Sequence, residues 1–587
     1  MKAKIANPFN TRPATLALAA MIGLGGAQSV QAATYTWTSN TNSTWTTAGN
    51  WSTSVAPTNT TAAHRLDILG TGASNAGATY TGAQGTTRYG SSSVRGLAIG
   101  LTKNAVFTIT GGTFSSLNST AAGVNGYDAL GNSGSVTGTL NVSGGTFIGA
   151  TPGTCLGFGS GGTGILNVNS GTATITSLVY NSVGTANLDG GTLEVNDVIR
   201  TGGSGIFNFN GGTLKARKST TTFMDGTNVT VNVKNLGAKI DTQAFNITIA
   251  GALKEDAGSM GGGLEKSGSG ALSLTAVNTY TGATNIKNGS IILGVGNDRL
   301  KTTGSVLLGD TSTSGKLVLG DGTARNQTLA GLTTTGNGGS VVGGAGTDST
   351  LTLNIASSNI YGGTLGGGGT NENKLALNKT GEGTLTLTGE NTYTGATTID
   401  GGSLALGTGG SIDHSSGVNL INGGNFNVSA LSNYSVASLT GNGSVTGDVT
   451  VTGALGIGAS PGAVIFNDDL TLGASAVSTF EINGFTTGLG LYDLAIGRSG
   501  SQIVTFGGTL ILNFFGGLDG FNTIGSAKIF DFESYDGDFN LPITTNGLAS
   551  GYTATFNSDT GFVTVVPEPS AALIGGLGLL CLLRRRR

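Results

Sequence analysis

Short stretches in which apolar and polar residues alternate recur along most of this chain, and each ends at a glycine-containing turn. The clearest units lie at 106–114, 139–147, 165–173, 185–193 and 206–214. Apolar residues at every second position, such as Phe207 and Phe209, are typical of a strand with one buried face. The last three units begin 20 and 21 residues apart. This short period predicts a solenoid in which each rung, one turn of the chain, stacks on its neighbours.

The composition supports an all-β chain with many turns. Of 587 residues, 106 are glycine, 37% are apolar and 10% are charged. Glycine has no three-residue period, which excludes collagen, and the apolar content is too high for a disordered chain. We therefore predict a right-handed parallel β-solenoid with a C-terminal β cap. At about 22 residues per rung, residues 90–450 predict roughly 16 rungs.

Charge and cysteine content exclude several kinds of partner and site. Without residues 1–32 and 567–587, the chain has 21 basic against 30 acidic residues. This negative balance does not favour nucleic acid, which is bound through clustered lysine and arginine. The two cysteines cannot form a disulfide framework or a cysteine-based zinc site. We expect no cofactor and no nucleic-acid partner.

Residues 1–32 are typical of a secretory signal peptide. Basic residues up to Arg12 precede an apolar stretch, and Val-Gln-Ala at 30–32 provides small residues at a cleavage site. The sequence predicts export through the Sec machinery, cleavage by signal peptidase and a mature chain that begins around Ala33.

The C-terminal stretch has three parts in a fixed order: Pro-Glu-Pro, an apolar segment at 571–583 and an arginine cluster. The first and last parts are Pro567, Glu568, Pro569, Arg584, Arg585, Arg586 and Arg587. A helix of 13 residues is about 20 Å long, which is short for a hydrocarbon core of about 30 Å. A short hydrophobic helix is expected here, and its simplest role is a transmembrane anchor.

The order of these three parts closely resembles the PEP-CTERM sorting signal of Gram-negative bacteria. The resemblance implies recognition and processing by an exosortase, an integral-membrane protease. The chain would be held transiently in the inner membrane and then reach the cell surface or the medium. It also makes exopolysaccharide a candidate partner.

Two segments, 264–294 and 377–407, are identical at 19 of 31 positions. They resemble the autotransporter-associated β-strand repeat, which implies a β-helix. The repeat corners are expected at Asn278, Tyr280, Gly282, Asn391, Tyr393 and Gly395. At each corner the asparagine would bind its own backbone, the tyrosine would cover the bend and the glycine would permit it. The alternative is that asparagine and tyrosine bind sugar.

These patterns divide the chain into six parts. They are a signal peptide at 1–32, a tryptophan-rich N-terminal β cap at 33–90, degenerate solenoid rungs at 91–252, a solenoid with both repeats at 253–452, a C-terminal β region at 453–565, and the sorting signal at 566–587 with its transmembrane segment at 571–583.

Candidate catalytic residues are few. His64 and His414 lie far apart in sequence, and the adjacent Asp468 and Asp469 would point to opposite faces of a strand. Residues 343–350 match one copy of a calcium-binding nonapeptide, which needs stacked copies. The sequence predicts an exported, non-enzymatic surface or matrix protein. A polysaccharide-acting β-helix enzyme, lyase or glycosidase, and an adhesin are the alternatives.

Overall fold

The computed structural model describes residues 97–568 and, before residue 97, five short strands between 34 and 89. Between 97 and 568 it leaves out 117–127, 132–133, 150–152, 158–160, 227–228, 337, 459–460, 486–490, 499, 517–518 and 541. Within these residues every regular element is a β-strand. The predicted signal peptide, Trp45, Trp51, His64 and residues 569–587 lie outside the described residues.

The chain winds through three faces in turn, and most strands pair in parallel with the strand one rung earlier and the strand one rung later. The first face contains Thr34–Trp37, Arg65–Ile68, Leu97–Ile99, Asp128–Leu130, Thr154–Leu156, Thr220–Met224, Ile247–Ile249, Ala271–Leu274, Gly289–Leu293, Gly315–Leu319, Gly339–Gly343, Thr364–Leu365, Leu470–Leu472, Ile503–Phe506 and Ser534–Gly537. The second face contains Ser43–Thr44, Gly77–Tyr80, Ala105–Ile109, Val183–Leu188, Ser204–Phe209, Val229–Val233, Leu253–Glu255, Gln327–Leu329, Ser349–Asn354, Leu375–Thr380, Thr397–Asp400, Val418–Ile421, Val477–Ile482, Thr509–Phe514 and Thr544–Asn546. The third face contains Thr87–Tyr89, Thr113–Ser116, Thr213–Ala216, Ala238–Asp241, Leu264–Ser267, Thr284–Ile286, Ser305–Leu308, Gly331–Thr334, Ser358–Tyr361, Thr384–Leu387, Ser403–Leu406, Asn425–Asn427, Gly443–Thr446, Ala463–Phe466, Leu494–Gly497 and Phe530–Asp531.

Five longer strands bend from one face into the next. They are Thr137–Ile148, Thr163–Tyr180, Thr192–Arg200, Tyr434–Gly441 and Val449–Ile457. Thr163–Tyr180 continues through all three faces, because its successive parts pair with strands of each face. In Thr137–Ile148 and Tyr434–Gly441 the pairing register shifts at the bend.

The core follows from the alternation in sequence. In Ala105–Ile109 the residues at every second position are buried, and the same pattern recurs in Thr509–Phe514 near the other end of the solenoid. Each rung contributes a few inward leucine, valine, isoleucine or phenylalanine side chains, and stacking removes them from water. A single rung could not shield its own apolar side, so the apolar core depends on the neighbouring rungs.

An antiparallel three-stranded sheet lies at the C-terminal end of the described residues. Gly525–Lys528 and Tyr552–Asn557 both pair with Phe562–Pro567, which lies between them. Val563 and Val565, in the central strand Phe562–Pro567, have buried side chains. The first strand of the sheet precedes and its other two follow the last parallel strands in the chain, and its antiparallel pairing forms a C-terminal β cap.

The predicted all-β parallel solenoid is confirmed. In the part of the chain that the structure describes, no helix has the length and apolar character needed to cross a bilayer. The expected C-terminal helix at 571–583 lies outside the described residues and stays a prediction.

Candidate functional sites

The first repeat corner is built around Asn278, whose side chain is buried. Its Oδ1 accepts the backbone N–H of Leu253 at 2.8 Å, and its Nδ2 donates to the carbonyl oxygens of Ala276 at 3.2 Å and Arg299 at 2.9 Å. These three partners belong to three successive rungs. One amide therefore joins its own turn to the rung before and the rung after.

The second corner repeats this geometry. Asn391 Oδ1 accepts the N–H of Leu365 at 2.8 Å, and its Nδ2 donates to the carbonyl oxygens of Gly389 at 2.9 Å and Ser411 at 2.8 Å. The sequence predicted a bond from each asparagine to its own backbone. The two bonds to adjacent rungs are the additional finding, and they make each asparagine a clamp across three rungs.

The corner tyrosines fill the bend from inside. The hydroxyl oxygens of Tyr280 and Thr284 are 2.6 Å apart, and those of Tyr393 and Thr397 are also 2.6 Å apart. All four side chains are buried, and burial raises the pKa of both tyrosines. Because asparagine and tyrosine are enclosed at both corners, neither pair is available to bind sugar.

The corner glycines are required by close packing against the preceding rung. A Cβ atom at Gly282 would lie 2.5 Å from the backbone nitrogen of Gly263, and one at Gly395 would lie 2.6 Å from the carbonyl oxygen of Leu375. Neither glycine has a positive φ. Their role is therefore to admit neighbouring backbone and not to allow an unusual bend.

A buried lysine completes each repeat, and the sequence did not predict its role. Lys266 Nζ donates to the carbonyl oxygens of Ser267 at 2.9 Å, Gly268 at 2.8 Å and Asn288 at 2.8 Å. Lys379 Nζ likewise donates to Gly381 at 2.6 Å and Gly401 at 3.1 Å. The Lys-x-Gly-x-Gly pattern, present in both copies, was the available signal for this site.

The two repeats occupy different faces of the solenoid. Leu264–Ser267 lies on the third face, whereas the equivalent Leu375–Thr380 lies on the second. The 113 residues that separate the copies therefore correspond to four rungs and two further faces, and not to a whole number of rungs. The repeat therefore forms the same corner geometry whichever face its first strand occupies.

The comparisons with known proteins agree with this geometry. The family model described as Passenger-associated-transport-repeat matches residues 264–293 and 377–406. A search of curated proteins gave no significant match. The predicted autotransporter-associated repeats are thus confirmed, and a repeat β-solenoid that carries them fits a passenger-type or surface protein.

The predicted sorting signal begins within the cap sheet. Pro567 is the last residue of Phe562–Pro567 and pairs with Tyr552, and the N–H of Glu568 donates to the carbonyl oxygen of Gly551 at 2.7 Å. Pro569, Arg584, Arg585, Arg586 and Arg587 lie outside the described residues. The sorting function itself stays a prediction.

The remaining acidic and histidine candidates have structural surroundings. Asp468 Oδ2 accepts the N–H of Gly447 at 2.6 Å, while Asp469 Oδ1 accepts the N–H of Ile503 at 2.8 Å. The two carboxylates thus bind backbone of different rungs and do not converge. His414 is exposed. Among the described residues, no group of three or more metal-ligating side chains is present.

Asp493 is a buried carboxylate that holds a turn. Its Oδ1 accepts the N–H of Gly462 at 2.9 Å and its Oδ2 accepts the N–H of Glu481 at 2.8 Å. Burial raises its pKa to about 6. With Asn419, Thr440 and Glu481, Asp493 lines a groove on the second face.

A column of asparagines runs along the outer side of the second face and is called the amide ladder below. Its members are Asn141, Asn167, Asn187, Asn208 and Asn232. Each Nδ2 donates to the Oδ1 of the asparagine one rung earlier, at 2.7 to 2.9 Å, and Asn141 donates to Thr108 Oγ1 at 3.2 Å. The recurrence of asparagine between two inward residues in the degenerate units was the sequence signal for this ladder.

Asn391→Ala is expected to lower the free energy of unfolding by roughly 2 kcal/mol, because it leaves the buried N–H of Leu365 without its acceptor and removes one of the two donors at the carbonyls of Gly389 and Ser411. Glu390→Ala is the control, since Glu390 is the exposed neighbour on the same corner. Urea unfolding gives both values, and hydrogen exchange should show faster opening between 365 and 411 in the first variant alone. Equal losses for the two variants would contradict the clamp.

The stability of the first repeat is expected to rise with pH above about 8. Burial lowers the pKa of Lys266 to about 8, from the 10.5 of an exposed lysine. Below both values the folded and unfolded chains hold the proton alike. Between them the unfolded chain binds more protons, so the free energy of unfolding increases with pH. Lys266→Met should lack this increase, and urea unfolding of both chains at pH 7 and pH 9.5 measures the difference. An identical pH dependence in the variant would contradict the assignment.

Proposed function

We propose that this chain is an exported, non-enzymatic β-solenoid protein of the cell surface or extracellular matrix. It is sorted and processed by an exosortase and associates with exopolysaccharide. The observation that supports this function most directly is the use of polar side chains in the repeats. The asparagine, lysine and tyrosine of each copy bind neighbouring backbone or a buried threonine, so the repeats build a scaffold.

The proposed route to the surface uses both ends of the chain. Residues 1–32 direct the chain to the Sec machinery and signal peptidase. The apolar segment at 571–583 then holds it transiently in the inner membrane, with the arginine cluster on the cytoplasmic side. Exosortase processing near Pro-Glu-Pro releases the solenoid outward. The match to passenger-associated repeats supports the surface destination.

Two measurements on the same material test this function. Antibody labelling of intact cells and of the medium should find the solenoid outside the cell. The purified protein should release no reducing sugar from the producing cell's own exopolysaccharide. A chain confined to the cytoplasm, or steady release of sugar, would contradict the proposal.

A polysaccharide-acting enzyme is the second candidate, and the groove that contains Asp493 favours it. Glu481 lies in the same groove, and its buried Oε2 has no hydrogen-bond partner among the described residues. Paired carboxylates carry the acid and base roles in glycoside hydrolysis. However, both oxygens of Asp493 already bind backbone. If sugar release is found, Glu481→Gln should abolish it when this groove is the active site.

A further inference from the structure

The amide ladder leaves hydrogen-bonding capacity at its four partly exposed members, Asn141, Asn167, Asn187 and Asn232, while Asn208 is buried. Each asparagine uses one of its two Nδ2 hydrogens within the ladder, and each Oδ1 keeps a second lone pair. Strands stack at ~4.8 Å, so donors and acceptors repeat at that distance along the solenoid. A ligand that binds here needs hydroxyl groups at a similar interval.

A column of valine, isoleucine and threonine residues, called the apolar column below for its methyl groups, runs beside the ladder on the same outer side. Two residues before each ladder position the chain has Thr139, Ile165, Thr185, Ile206 and Thr230, and Val106 holds the same place one rung earlier. Ile206 is 42% exposed although it lies in the middle of a strand. Exposed methyl groups next to a polar column match the two sides of a sugar ring, whose C–H groups are apolar and whose edges carry hydroxyls.

The charge of this surface restricts the ligand further. Neither the amide ladder nor the apolar column contains an ionisable side chain. The ladder ends at Lys254, which pairs with Asn232 on the following rung. Asp189 and Lys234, two residues after Asn187 and Asn232, border the ladder with one charge of each sign. The surface therefore offers a charged ligand no run of opposite charge, whereas a neutral hydroxyl-rich chain can replace its water contacts with amide contacts.

We propose that the outer side of the second face between residues 105 and 233 binds an extended, uncharged polysaccharide that lies along the solenoid axis. One sugar ring per rung would place its hydroxyls on the asparagines and its C–H side on the neighbouring methyl groups. The inference rests on the proposed function and names the class of glycan. It is independent of the route by which the protein reaches the surface.

Affinity electrophoresis of the purified chain in gels that contain a soluble neutral β-glucan tests this inference. Retardation is expected, and Ile206→Glu should weaken it at least tenfold. Ile360→Glu is the matched control, because Ile360 is a 60% exposed strand residue on the third face. This control should bind as the unchanged chain does. Circular dichroism and thermal unfolding confirm that both variants are folded.

Three results would overturn the inference. They are no retardation by the neutral glucan, equal weakening by Ile206→Glu and Ile360→Glu, and stronger retardation by polygalacturonate than by the neutral glucan. None of them affects the surface location, which antibody labelling measures separately. Failure of the ligand assignment is therefore distinguishable from failure of the proposed function.

Discussion

Leu385→Asp is expected to lower the free energy of unfolding by roughly 3 kcal/mol or more, a larger loss than we expect from Asn391→Ala. Leu385 lies in Thr384–Leu387 with no exposed surface, and its strand pairs with Ser403–Leu406 on the next rung. A carboxylate there would lie in the apolar core without a partner. Because each rung shields its neighbours, the damage should extend beyond the repeat itself.

Thr386→Asp is the matched control for this prediction. It introduces the same charge one residue further along the same strand, where the side chain points outward and is half-buried. Its effect should remain below about 1 kcal/mol, in the range of ordinary surface exchanges. Urea unfolding followed by circular dichroism measures both variants. Similar losses for Leu385→Asp and Thr386→Asp would contradict the assignment of inward and outward positions.

The alternation of residues was sufficient to predict which side chains point inward and which point outward, because a strand has a period of two. Leu272 and Leu385 stand at the apolar positions of the alternation and are buried, while Val277 and Glu390 are exposed. The inward or outward direction of these side chains follows from the neighbouring residues in sequence and needs no knowledge of distant contacts.

The corner chemistry could be predicted only in part. The repeated asparagine was recognised, but its bonds to Leu253 and Arg299 depend on which rungs lie above and below. Lys266 is harder still, because lysine is almost never fully buried and a sequence argument places it in solvent. It is buried here because three carbonyl oxygens surround its Nζ atom.

The placement of the two repeats on different faces also lay beyond sequence reasoning. It depends on the exact number of residues in every rung between the copies, and the spacing of paired positions varies. Ala271 and Ser290 are one rung apart at 19 residues, whereas Gly289 and Gly315 are one rung apart at 26. The differences in loop length add up along the chain, so the mean number of residues per rung does not tell on which face a given residue lies.

Replacement of Pro567, Glu568 and Pro569 by alanine is expected to leave an uncleaved precursor in the inner membrane. The unchanged chain should lose its tail and move outward. Two prolines keep this stretch extended and remove two backbone donors, a shape that a protease cleft can accept. Deletion of the exosortase should give the same retention. Mass spectrometry of membrane and extracellular fractions measures whether residues 571–587 are still attached.

The position of Pro567 makes a control necessary, because an alanine exchange there could act by loosening the cap sheet. Pro567 pairs with Tyr552 at the end of its strand. Alanine at Ser558, Asp559 and Thr560, in the turn before the same strand, changes three residues and one negative charge without touching the motif. This variant should be processed and exported normally. If extracellular protein retains residues 571–587, the tail is an ordinary anchor. If both triple variants are retained in the inner membrane, the cap and not the motif controls export. The sorting prediction requires that the variant without Pro-Glu-Pro is retained and that the variant at 558–560 is not. Both variants change three residues at the same small sheet, so a difference between them points to recognition of Pro-Glu-Pro.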